Sequence, residues 1–75
     1  MSELARIVEA LLFLSPDPLS LDAIVAATNE DLEDVRDALA ELEDAYAPGA
    51  RGLILKEVAG GVTLATDPVA EPAAR

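Results

Sequence analysis

The sequence predicts a winged helix-turn-helix domain, mostly α with a small β-hairpin, and three observations lead to this prediction. Apolar residues recur at helical spacing in three segments between residues 3 and 46. A diglycine then joins two β-prone runs, which is the pattern of a hairpin. Finally, a short second helix and a tight turn precede a longer third helix, and this order followed by a hairpin is that of a helix-turn-helix with a wing.

The first helix is predicted over Glu3–Leu14, with Ser2 as its N-cap. Its apolar residues follow the i, i+3, i+4, i+7, i+8 pattern of an amphipathic helix: Leu4, Ile7, Val8, Leu11 and Leu12. Beyond Glu9 the helix is apolar on every side, so this turn needs burial on two faces. In so small a domain we expect another chain to cover one of those faces. Pro16 and Pro18 prevent the helix from continuing.

Ser20 is the predicted N-cap of a short second helix, which runs to about Ala27. The Thr28-Asn29 pair ends this helix, and Asn29 is predicted to cap the third one. The third helix extends to about Tyr46, and Pro48-Gly49 closes it. Its apolar residues lie three and four positions apart: Leu32, Val35, Leu39, Leu42 and Tyr46.

The wing is predicted from two β-prone runs, residues 53–58 and 62–66, joined by Ala59 and a glycine pair. The wing turn is assigned to Gly60 and Gly61, because glycine adopts the positive φ values of a tight turn without steric cost. The domain is accordingly placed at residues 1–66. Residues 67–75 are rich in proline and alanine, and they are predicted to be a linker or the start of a further element.

The charge of the chain argues against DNA reading by the third helix. The chain carries 15 acidic and 5 basic residues, a net charge of −10. From Glu30 to Asp44 there are eight carboxylates and only one basic residue, Arg36. Contact with phosphates requires the opposite sign, so no direct sequence-specific DNA binding is expected. The acidic helix is either a solvated face or a docking face for a basic partner, and the sequence leaves both open.

The composition also argues against an enzyme. The chain contains no histidine and no cysteine, which removes imidazole catalysis, disulfides and zinc fingers together. No base lies at a recognisable spacing from a serine or threonine. We therefore predict no catalytic residue, no metal ligand and no cofactor. The longest apolar runs are five residues, against the roughly 20 of a membrane-spanning helix, and a cytoplasmic protein is expected.

Four stretches of the sequence, taken in order, carry a resemblance to a known family. They are residues 4–13 (LARIVEALLF), 18–21 (PLSL), 51–53 (RGL) and 57–66 (EVAGGVTLAT). In order and spacing they are similar to the first helix, the turn with its second-helix cap, and the wing of the bacterial segregation and condensation protein B family, ScpB. One departure is Val62, which stands where wings of that family commonly carry an aromatic residue.

The resemblance implies a non-catalytic subunit of the bacterial SMC condensin complex, which condenses and segregates chromosomes. Members usually carry two winged-helix domains in tandem, so residues 67–75 would be a linker or the truncated start of the second. A member forms a homodimer through its first domain and binds the kleisin subunit ScpA, and through it SMC. Such a protein is cytoplasmic, associated with the nucleoid through the SMC complex, and has no membrane partner.

Four residues are candidates for the dimer or partner interface. Leu12, Phe13 and Leu14 belong to the apolar excess that one small core does not absorb. Tyr46 is amphipathic and lies near a helix end. A place in the core is the alternative that the sequence leaves open for each of them.

Two other classes of protein are kept as alternatives. The first is a winged-helix transcription regulator whose partner supplies the basic surface, although the acidic third helix argues against it. The second is a carrier-type small acidic protein of the acyl carrier kind, which attaches its arm to the serine of an Asp-Ser-Leu motif. Here Ser20 follows Leu19 instead of an aspartate, and a β-hairpin has no place in an all-helical carrier.

Overall fold

The computed structural model describes residues 1–68 and has the predicted order of three helices and a hairpin. The helices are α1 (Glu3–Leu14), α2 (Leu21–Thr28) and α3 (Leu32–Ala45). The strands β1 (Leu53–Val58) and β2 (Gly61–Thr66) pair antiparallel. The prediction of a winged helix-turn-helix domain, mostly α with a small β-hairpin, is confirmed. Within the described residues, no helix is long and apolar enough to cross a bilayer.

Serine N-caps begin the first two helices, as predicted. The Ser2 hydroxyl accepts a hydrogen bond from the Ala5 N–H at 3.1 Å, and the Ser20 hydroxyl accepts one from the Ala23 N–H at 3.1 Å. Ser2 is tied to α3 as well, because its N–H and its hydroxyl both donate to Glu41, at 2.9 and 2.8 Å. These hydrogen bonds hold the pKa of the Glu41 carboxyl below its ordinary value.

The prediction that Asn29 caps α3 is wrong. Asn29 is the C-cap of α2, in the left-handed conformation with φ 56°, and its N–H donates to the Val25 carbonyl at 2.9 Å. Asparagine tolerates the left-handed conformation better than most residues. Asn29 therefore ends α2, although the sequence predicts it as the N-cap of α3. The N-cap of α3 is Asp31, whose carboxylate makes no capping hydrogen bond. Its negative charge still lies at the favourable end of the helix dipole.

One core joins all three helices. Its buried members are Ala5, Val8, Leu12, Ile24, Val35, Ala38 and Leu42. The hairpin closes one side of this core with Leu55, Val62 and Leu64, which are half-buried against it. The wing is therefore part of the packed domain, and its position relative to α1 and α3 is determined by apolar contact.

The wing turn differs from the prediction at its second glycine. Gly60 has the positive φ expected of the turn, +81°, but Gly61 is the first residue of β2 and pairs with Val58. A Cβ at Gly61 would lie 2.8 Å from the carbonyl oxygen of Leu19. Leu19 and Val62 form an isolated antiparallel bridge, with backbone hydrogen bonds of 2.9 and 2.8 Å. The absence of a side chain at Gly61 therefore allows the backbone of Leu19 to lie this close to β2.

The described chain continues as ordered structure past the boundary predicted at residue 66. Asp67 is buried; its carboxylate accepts a hydrogen bond from the Gly49 N–H at 2.8 Å, and its own N–H donates to the Gly52 carbonyl at 2.9 Å. Both bonds tie the end of β2 to the loop that precedes β1. Asp67 is thus hydrogen-bonded to the loop before β1. Of the predicted linker, residues 67–75, the structure describes residues 67 and 68, and residues 69–75 lie outside the described residues.

Candidate partner interface

The outward side of α1 carries four exposed apolar residues, together with the charged residues Glu3 and Arg6. The side of the helix that faces the core carries Ala5, Val8 and Leu12. Four other residues, which we call the α1 stripe, are exposed on the remaining surface of the helix: Ile7, Ala10, Phe13 and Leu14. Phe13 is 74% exposed and Leu14 75% exposed. Large apolar side chains exposed side by side, as Phe13 and Leu14 are, mark an interaction site more often than scattered apolar residues do.

The predicted interface residues fall into two groups. Leu12 is 3% exposed and belongs to the core, so its side chain offers almost no surface to a partner. Phe13 and Tyr46 line one shallow groove of about 340 Å³, and Leu14 lies on the same helical turn as Phe13. The other residues that line this groove come from α1 and from both strands of the wing: Glu9, Ala10, Leu53 and Leu64.

Tyr46 is held in place from two sides. Its hydroxyl donates a hydrogen bond to the carboxylate of Glu9 on α1. The guanidinium carbon of Arg51 lies 5.3 Å from the centre of its ring, within the range of a cation–π interaction. Arg51 is itself fixed by a hydrogen bond from Nε to the Ala45 carbonyl at 2.9 Å. Tyr46 therefore forms a rigid wall of the groove beside Phe13.

We expect the Glu9–Tyr46 hydrogen bond to make stability depend on pH in alkali. This bond, followed by burial and by the charge of Glu9, raises the pKa of Tyr46 above its usual 10.0. A group with a raised pKa in the fold stabilises it fully below the unfolded-state pKa, and that contribution is lost as the pH rises through the folded-state value. The urea midpoint should therefore fall above pH 10 by more in the wild type than in Tyr46→Phe. Equal declines in both proteins would contradict the expectation.

Two residues of the α1 stripe were not identified as surface residues from the sequence. Ile7 was assigned to the apolar side of the first helix, yet it is 45% exposed, and Ala10 was not assigned to a surface. Ile7 and Leu14 are seven positions apart, which places them on the same side of a helix. That spacing is the signal that could have identified the stripe.

The site has the properties of a contact surface. Its members supply apolar area and one hydrogen-bonded tyrosine. Within residues 1–68, no group of three or more histidine, cysteine, aspartate or glutamate residues is arranged to hold a metal ion. The carboxylates of α3 are all exposed, so that helix presents negative charge where a DNA-reading helix presents positive charge.

The chain is similar to known proteins of one family. The family profile described as "Segregation and condensation complex subunit ScpB" matches residues 6–75. Segregation and condensation protein B of Syntrophotalea carbinolica is 44% identical over 66 residues, which are 88% of this chain and 34% of that protein. The protein of the same name from Myxococcus xanthus is 39% identical over 62 residues, 83% of this chain and 19% of that protein. The chain thus spans about a third of the first relative's length and about a fifth of the second's.

Solved structures agree with this result. A crystal structure of a dimer of the ScpB N-terminal domain complexed with ScpA peptide superposes with a TM-score of 0.85 at 34% identity, covering 93% of this chain and 88% of that one. The crystal structure of ScpB from Mycobacterium tuberculosis gives a TM-score of 0.85 at 29% identity, covering 96% of this chain and 45% of that one. By sequence and by fold, the chain belongs to the ScpB family of segregation and condensation complex subunits.

Proposed function

We propose that this domain serves as a non-catalytic, dimerising part of a bacterial SMC condensin complex. The observation that carries the proposal is the exposed α1 stripe, on a domain similar to one that has been crystallised as a dimer complexed with ScpA peptide. The alternatives of a transcription regulator and a carrier protein receive no comparable support.

In this proposal the protein acts by assembly. It pairs with a second copy of itself and binds the kleisin subunit ScpA, which joins it to SMC. ATP hydrolysis and the principal DNA contacts belong to SMC, in keeping with an acidic surface that repels nucleic acid. The complex condenses and segregates chromosomes in the cytoplasm, and the protein is associated with the nucleoid through SMC.

Charge supports the α1 stripe as the dimer contact. Each copy has a net charge of −10, so two copies meet most favourably where the surface carries few carboxylates. The C-terminal part of the stripe, formed by Ala10, Phe13 and Leu14, is such a surface. Ile7 at its other end lies beside carboxylates, and α3 is acidic along its exposed side. Burying Phe13 or Leu14 contributes roughly 1.5 to 3 kcal/mol each, and a two-fold contact uses each of them twice.

Phe13→Asp is expected to leave a folded monomer. Phe13 is outside the core, so its replacement leaves the packing of the domain intact, whereas a carboxylate in a two-fold apolar contact is desolvated and faces its own copy. Size-exclusion chromatography with light scattering reports the mass, and far-UV circular dichroism reports the fold.

Leu32→Asp is the matched control for this experiment. Leu32, like Phe13, is an exposed large apolar residue, 41% accessible, but it begins α3 and lies outside the α1 stripe. The control should remain dimeric. If Phe13→Asp unfolds or remains dimeric, Phe13 does not form the dimer contact. If Leu32→Asp is monomeric as well, the added charge alone explains the loss of the dimer.

The assembly itself is tested by affinity capture of the tagged chain from extracts of its own cells, with nuclease added. We expect recovery of ScpA, an SMC ATPase and an untagged copy of the same protein. Recovery of the untagged copy alone would support dimerisation and would mean that ScpA binding requires the rest of the full-length protein. Recovery of none of the three would contradict the proposed function.

A further inference from the structure

A second groove, of about 510 Å³, lies between the N-terminal halves of α1 and α3. Its apolar lining consists of Leu4, Ile7 and Ala38. Around that lining stand five carboxylates: Glu3, Glu30, Asp34, Asp37 and Glu41. We call this feature the acidic groove. It lies at the opposite end of α1 from the groove that Phe13 and Tyr46 line.

Every charged side chain that lines the acidic groove is a carboxylate. Among the described residues, no lysine or arginine lines it. Asp34 and Asp37 are neighbours at i, i+3 on α3, and Asp37 and Glu41 are neighbours at i, i+4. Like charges at these spacings destabilise a helix. A basic occupant would relieve this repulsion.

The apolar lining separates this groove from an ordinary solvated acidic face. Ile7 is 45% exposed, so a branched side chain remains in water in the midst of carboxylates. An apolar centre with a charged rim is the general layout of a protein–protein contact, in which the centre supplies affinity and the rim supplies specificity.

Other kinds of occupant fit these observations poorly. Within residues 1–68 the carboxylates do not converge as metal ligands do. Nucleic acid and anionic membranes are repelled by the rim. A second copy of this chain would bring a further net charge of −10.

We propose that the acidic groove binds a segment of a partner protein in which an apolar side chain is flanked by lysine or arginine. The apolar side chain packs on Ile7 and Leu4, and the flanking cations pair with Asp34 and Asp37. Glu41 has a separate function, because it already accepts two hydrogen bonds from Ser2 and fixes the start of α1 against α3. This inference does not depend on the proposed function.

The test is a titration of the isotopically labelled chain with two synthetic peptides, followed by amide chemical shifts. The first peptide has an isoleucine between pairs of arginines, and the second has glycine in place of the isoleucine at equal charge. We expect the first to shift the amides of Ile7, Asp34 and Asp37 and to bind about tenfold more tightly, which is the factor that 1.4 kcal/mol of apolar contact provides. Equal binding of both peptides, or of neither, would overturn the proposal.

Matched variants separate the groove from the general acidity of α3. Asp34→Asn with Asp37→Asn removes two charges from the rim, and Glu33→Gln with Asp44→Asn removes two charges from the same helix outside the groove. All four residues are exposed, so both double variants should fold. The first double variant should bind the isoleucine peptide about tenfold more weakly, which corresponds to the loss of two partly exposed ion pairs. The second should lose less than about twofold in affinity. Equal losses would contradict a specific site. Phe13→Asp leaves the groove intact, and its binding of the peptide should match the wild type whether or not it dimerises.

Discussion

We expect Leu12→Ala to destabilise the domain by about 2 to 5 kcal/mol and Leu14→Ala to change its intrinsic stability by less than about 0.5 kcal/mol. The two substitutions remove the same atoms from the same helix, two positions apart. Leu12 is 3% exposed and lies in the core, so its truncation leaves a cavity between packed side chains. Leu14 is 75% exposed, so its truncation leaves none.

Urea denaturation followed by circular dichroism measures both effects, and it should be run over a series of protein concentrations. A dimer's stability rises with its concentration, so a contact made by Leu14 is lost only where the wild type is dimeric. Leu14→Ala should therefore match the wild type in dilute solution and fall below it in concentrated solution. A large loss of stability in dilute Leu14→Ala would mean that Leu14 is part of the core. Unchanged stability in Leu12→Ala would mean that Leu12 is not.

Features that depend on neighbouring residues could be predicted from the sequence. Ser2 and Ser20 were identified as N-caps because a cap needs only a hydroxyl and an N–H three positions later. The first helix and the first strand have the predicted bounds, because the change from helical to strand period is a local signal. The fold class followed from the order of these elements.

Features that depend on a distant contact could not be predicted. Asn29 is equally suited to start or to end a helix, and its place after α2 was decided by the left-handed turn there. The sequence assigns Gly61 to the turn, but the constraint on it is the backbone of Leu19, 42 positions away. Tyr46 hydrogen-bonds to Glu9, a pairing that nothing in their spacing of 37 indicates.

For a related reason, the sequence predicts the proposed interface only as a region of the first helix. From Ala10 to Leu14 every residue is apolar, so composition does not distinguish the side that faces the core from the side that faces solvent. Successive residues turn by about 100° around a helix, and only the position of the other helices and the wing decides which of them are covered. Leu12 is thereby buried, while Phe13 and Leu14 remain exposed.

Gly61→Ala is expected to destabilise the domain by about 1 to 3 kcal/mol, because two backbone hydrogen bonds are worth roughly 0.5 to 1.5 kcal/mol each. The new Cβ would lie 2.8 Å from the oxygen, 2.9 Å from the carbon and 3.2 Å from the nitrogen of Leu19. All three are backbone atoms, so no side-chain rotation relieves the overlap. The bridge between Leu19 and Val62 must open, and with it the attachment of the wing to the turn before α2.

Two other glycines serve as controls for this prediction. Gly52→Ala has open space and no positive φ, so it should be neutral or stabilise slightly by restricting the unfolded chain. Gly60→Ala also has open space but a φ of +81°, so it should cost about 1 kcal/mol through backbone strain alone. Hydrogen exchange adds a readout specific to the bridge, because the amides of Leu19 and Val62 should lose protection only in Gly61→Ala. A Gly61→Ala protein as stable as Gly52→Ala, with both amides still protected, would mean that the bridge adapts to a side chain and does not hold the wing.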